Sequence, residues 1–121
     1  MRLNLSDLSY DSTWYDFDSQ VPHSGDHDPE KVYLKIRPYP VSMMRHTFRR
    51  GEVVISEEEQ CRIFQYSLVD WKNVLGSDGV PLPCKEEVKQ KVFDFALGGI
   101  AVKVLSIVRD FNERLEASSK N

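Results

Sequence analysis

Two histidines and two aspartates fall within six residues in His23-Ser24-Gly25-Asp26-His27-Asp28, the stretch of this sequence whose residue types could hold a metal ion. A zinc site needs three or four ligands in fixed geometry, each braced by further hydrogen bonds, and a loop bounded by Gly and Pro supplies little of either. The two imidazoles are therefore expected to be ordinary loop histidines, with no metal and no cofactor. Cys61 and Cys84 stand 23 residues apart with no C-x-x-C spacing, which reads as two reduced, partly buried thiols. A nucleophilic cysteine paired with His46 would need a meeting in space that spacing does not supply. The phosphate-binding, dinucleotide-binding, nucleophile-elbow and H-E-x-x-H motifs are all missing, and Asp78-Gly79 lacks the acids of a calcium loop. Glu57 and Glu58 are expected to match the positive end of a helix dipole, not to act as an acid/base pair. The expectation is a protein that is not an enzyme.

The elements that would position these residues begin with Thr13 to Asp18, rich in β formers, with Trp14, Asp16 and Asp18 on one face and Thr13, Tyr15 and Phe17 on the other. Pro22, Ser24, Gly25, Asp26, Asp28 and Pro29 make Val21 to Glu30 a loop. Lys31 to Arg37 alternates strictly, with Val32, Leu34 and Ile36 on one side, and Pro38 and Pro40 stop it. These two strands form an antiparallel hairpin. Val41 to Arg50 is expected to be a short helix opened by Ser42.

Ser56-Glu57-Glu58-Glu59 is a capping box, so a helix starts at Ser56. Cys61, Phe64, Leu68 and Trp71 recur along it at helical spacing and form its buried stripe. Gly76 to Gly79, with Pro81 and Pro83, ends that pattern. Lys85 to Ala96 resumes it through Val88, Val92 and Phe95, and Gly98-Gly99 breaks it again. A last helix carries Ile100, Val104, Ile107, Val108, Phe111 and Leu115 on one face, and its end frays over 117–121. The fold class is α+β, mostly helical: an N-terminal antiparallel β-hairpin followed by three to four α-helices. One domain spans 13–116 behind a flexible segment 1–12.

The 121 residues suffice for one core, with 40% apolar and 11% aromatic side chains. The longest nearly uncharged stretch, Phe95 to Val108, is shorter than the ~20 residues a membrane span needs. The first ten residues hold no continuous apolar block, so no secretory signal is expected and the protein should remain in the cytoplasm. The net charge is −3 but unevenly spread: residues 1–30 carry −6 and residues 31–51 carry +6. Such blocks pair across a hairpin or meet a charged partner. With a pI near 5.6 and no nucleic-acid-binding motif, nucleic acid is not an expected partner.

Three segments together carry a likeness to a known family: Lys35-Ile36-Arg37-Pro38, then Leu68-Val69-Asp70-Trp71-Lys72-Asn73-Val74, then Asp78-Gly79-Val80-Pro81-Leu82-Pro83. The run resembles the tail assembly chaperones of long-tailed phages and prophages, over about residues 13 to 115. The resemblance implies a non-enzymatic protein of viral morphogenesis, in the cytoplasm of a bacterial host. Its partners would be the tape measure protein, which it coats, and tail tube subunits, which it recruits. On physical grounds the candidate contact residues are Trp71 and the last helix's Ile100, Val104, Ile107, Phe111 and Leu115, offered to a partner helix or a second copy. The alternatives are a structural tail or connector component of the virion, or a small acidic regulatory protein that binds a basic partner.

Overall fold

The computed structural model describes residues 12–40, 47–49 and 52–119, with side chains over 12–40 and 55–110. Strand β1 (Thr13–Asp16) pairs antiparallel with β2 (Tyr33–Ile36), Trp14 opposite Lys35, as the alternating patterns require. Beyond them the chain departs from expectation. Strand β3 (Thr47–Arg49) pairs antiparallel with β4 (Glu52–Val54), so strand stands at 47–49 where a helix was expected over Val41–Arg50. Thr47, Val53 and Val54 are β-branched residues that favour strands over a helix. Residues 41–46 lie outside the described residues.

Helix α1 (Glu57–Ser67) begins as the capping box demands, with Ser56 Oγ accepting from the Glu59 amide at 3.1 Å and three glutamates in its first turn. It ends four residues before the expected Trp71, and the chain passes directly into β5 (Leu68–Lys72), which pairs antiparallel with β2. The physical reason lies in the register. Lys35 pairs with Asp70 and Ile36 with Leu68, so Val69 is an extra residue at a bulge. In a regular strand, residues three apart face opposite sides. The bulge lets Leu68 and Trp71 both point inward, which imitates helical spacing in the sequence.

The hairpin-like connection 74–82 is closed by Gly76 N–H to Val80 O and Leu82 N–H to Val74 O, with Gly79 at φ +79. Helix α2 (Glu86–Asp94) and helix α3 (Ile100–Ser119) follow, joined by a 3-10 turn at Leu97–Gly99. Ala96, Gly98 and Gly99 all take left-handed φ there, so the corner is sharp where the Gly pair suggested a break. Among the described residues the architecture is a three-stranded sheet in the order β1-β2-β5, a two-stranded sheet and three α-helices. The α+β class therefore holds, with strand at two places where helix was expected. The backbone of α3 stays helical to Ser119, through residues expected to fray.

The core lies between one face of the larger sheet and the helices. Tyr15, Leu34, Ile36, Leu68 and Trp71 meet Ile63 and Phe64 of α1, Val92 of α2, and Ile100, Val104, Ile107 and Val108 of α3. No helix of the described residues is long and apolar enough to cross a membrane.

Candidate functional site

The residues expected to meet a partner are largely spent on this core. Trp71 is 5% exposed, and its indole Nε1 donates to Leu82 O at 2.8 Å, fastening the 74–82 connection to the sheet. Ile100, Val104 and Ile107 are buried against α1 and the sheet. The side chains of Phe111 and Leu115 lie outside the described residues. Trp71, Ile100, Val104 and Ile107 thus bury their apolar area within the chain.

Among the described residues, large apolar side chains face outward at Val21, at Val69, at Leu75 and Val80 in the 74–82 connection, and at three positions around the corner between α2 and α3. Phe95 is 72% exposed, Leu97 49% and Val102 70%. Phe95 was expected within the apolar seam of the preceding helix. That helix stops at Asp94, and Phe95, at its C-terminal cap, stays in solvent while Val92 is buried.

The second exposed assembly occupies the outer face of the β1-β2-β5 sheet. Strand alternation puts Trp14 and Asp16 of β1, Tyr33 and Lys35 of β2, and Lys72 of β5 on this side. The Trp14 ring takes the ammonium groups of Lys35 at 5.7 Å and Lys72 at 5.0 Å from its centroid. The loop after β1 then folds back over the face. Its first part runs along the free edge of β1, where His23 N–H donates to Trp14 O at 2.8 Å and Tyr15 bridges to Pro22.

His27 stacks on Tyr33 with centroids 4.3 Å apart and meets Trp14 edge-on at 5.0 Å, while His23 lies 5.2 Å from His27 and 4.8 Å from Tyr33. Four rings thus form one cluster. Tyr33, at 1% exposure, is buried on the outer face by this loop, and its hydroxyl accepts the Asp28 amide at 2.8 Å. Asn73 Nδ2 donates to the carbonyls of Asp28 and Lys31, holding the loop's far end. Among the described residues no group of three His, Cys, Asp or Glu is placed to hold a metal ion, and the two imidazoles serve as rings.

Burial against the rings holds His27 below its ordinary value, reinforced by Lys72 and His23 and opposed by Asp26. Asp16 is lowered chiefly by the Asp18 amide its carboxylate accepts, and further by Lys31, 3.4 Å away. The thiol of Cys84 is pushed up to about 11 by burial, the opposite of an activated nucleophile. Cys61 Sγ donates to Gln90 Oε1 at 3.3 Å, and His46 lies outside the described residues.

Each edge of the larger sheet is partly occupied from within the chain. The loop bonds cover β1. On β5, Asp70 Oδ1 accepts the Trp71 N–H at 2.8 Å and Lys89 Nζ donates to Leu68 O at 2.9 Å. Addition of a partner strand to these edges would have to displace those bonds. The outer-face cluster was readable in part: the Trp14/Asp16 alternation and the basic residues of β2 were in the sequence. Its gathering under His23 and His27 was not, because loop folding and the β2-β5 pairing join residues up to 58 positions apart.

No protein-family model, no curated protein and no solved structure matches the chain.

Proposed function

We propose that this chain is a non-enzymatic binding protein that acts as a tail assembly chaperone of the long-tailed phage type, holding the tape measure protein in solution and passing it to tail tube subunits. The observation that carries the reading is the apolar corner of Phe95, Leu97 and Val102, exposed on a backbone fixed by left-handed Ala96, Gly98 and Gly99. Such a corner fits the apolar stripe of a partner helix, and many copies along a long helical polypeptide would cover it additively. The contact surface moves from Trp71 and the buried face of α3 to this corner.

The segments that carry the family resemblance also belong to one structural unit. Lys35 pairs with Asp70 and Ile36 with Leu68 across β2 and β5, and the Trp71 indole holds Leu82. That unit lends the reading coherence, since the three motifs depend on one another in space.

The test is co-expression with the tape measure protein. The chain should keep it soluble and co-purify with it, and a Phe95→Asp, Val102→Asp double variant should fold normally yet lose both effects. If the tape measure protein stays equally insoluble with and without the chain, the reading fails. Mass spectrometry of purified particles separates a chaperone, absent from them, from a structural tail component, which remains.

A further inference from the structure

We propose that the loop from Pro22 to Asp28 is a proton-operated clasp over the outer face of the sheet: it lies closed while His27 is neutral and lifts off Trp14 and Tyr33 when His27 takes a proton. The geometry comes first. His27 is wedged between Tyr33, stacked at 4.3 Å, and the Trp14 ring at 5.0 Å, and that indole already carries Lys35 and Lys72.

The charged groups on this face come from every neighbouring element. β5 gives Lys72 and the loop itself gives His23 and Asp26; on the same face of the sheet, Asp16 of β1 is engaged by Lys31, and Lys35 of β2 lies over the Trp14 indole. An imidazolium at this place would gain attraction from the Tyr33 ring and from Asp26. Against that stand loss of hydration, Lys72, and His23 at 5.2 Å, and the net direction is toward the neutral form.

The sign follows. A histidine held below its ordinary 6.5 in the closed state binds its proton more readily when the loop is open. The clasp's contribution is therefore fully present above that value and is lost as pH falls through the lowered one. What opens is confined to the loop, because its ties to the rest are few: the Pro22 bridge to Tyr15 with the His23 N–H to Trp14 O, the Asp28 N–H to the Tyr33 hydroxyl, and the Asn73 amide at its far end. The helices share none of these bonds.

Hydrogen exchange on the intact chain, corrected for intrinsic rates, reads the clasp directly at the amides of His23 and Asp28. Between pH 7.5 and 5.0 their protection should fall, because the open loop takes the proton more readily and the opening equilibrium follows it. Amides of Leu34 and Val104 should not change. His27→Phe keeps the ring and removes the proton site, so its clasp should stay closed at pH 5.0. Lys72→Gln should raise the His27 titration midpoint observed by NMR toward 6.5 and shrink the loss of protection. Equal protection of both amides at the two pH values, or a wild-type His27 that titrates at or above 6.5, would overturn the proposal. So would opening of His27→Phe with the wild-type midpoint.

Discussion

Lys89 shows how one side chain can terminate an element. It is almost wholly buried, and its ammonium donates to the carbonyls of Gln65 and Leu68, in the last turn of α1 and at the first residue of β5. Those carbonyls are among the acceptors that a helix end leaves without partners, and here water cannot easily reach them. Burial draws the Lys89 ammonium below its ordinary value, with Cys84 as the largest opposing influence. Lys89→Met keeps the apolar stem and removes the donors. It should cost roughly 2 kcal/mol, read as a lower urea midpoint with an unchanged slope. Cys84 offers a second test at this scale. With its thiol raised from 9.0 to about 11, its alkylation at pH 8 should run about a hundredfold slower in the native chain than in urea, because only the thiolate reacts. Equal rates by mass spectrometry would show that Cys84 is not held as the structure describes.

Elements here are decided by pairing more than by propensity. β5 could have continued α1, and its inward residues even keep helical spacing, but β2 needed a neighbour on its second side. Three strands with a bulge at Val69 bury Leu34, Ile36, Leu68 and Trp71 together, which a longer helix could not do. The free edge of β5 is then guarded by Asp70. Asp70→Ala should lower stability by about 1 kcal/mol and expose the Trp71 N–H, giving concentration-dependent association by analytical ultracentrifugation. A strict monomer at all concentrations would show that Asp70 plays no guarding part. Gly79, at φ +79 in the turn of the 74–82 connection with open space around its Cβ position, meets backbone strain alone on substitution. Gly79→Ala should cost about 1 kcal/mol by thermal melting, and Gly79→Asn, which tolerates that conformation better, less.

At the scale of the molecule, the outward surfaces among the described residues include an apolar corner and an aromatic-basic sheet face, well separated in sequence. The sheet face is anchored to α3 from the other side of the loop. Lys103 donates to the carbonyl of Ser19 and to Gln20 Oε1, while Gln20 Nε2 donates to Ser106 and Asp110. These bonds hold the start of the loop while its tip covers Tyr33. Because Phe95 and Val102 are exposed, replacing both with Asp should shift the melting temperature by no more than a few degrees. A collapse of the melt would mean that the corner is structural, and the loss of partner binding could not then be read as a surface effect.

The sequence alone determined the mixed class, β1 and β2 with their inward residues, the capped start of α1, α2, the glycine break and α3. Each follows from local alternation, a capping box or a residue that tolerates left-handed φ, and none needs a distant partner. Tertiary structure alone decided that Leu68–Lys72 is a strand, that Thr47–Arg49 pairs with Glu52–Val54, and that Ile100, Val104 and Ile107 of α3 are core. Spacing of three fits a helix and a bulged strand equally well, and only the unpaired side of β2 breaks the tie. The same holds for His23 and His27: two histidines in a polar loop carry no signal of their own, and they gain meaning once the loop folds back onto Tyr33 and Trp14 beside Lys72.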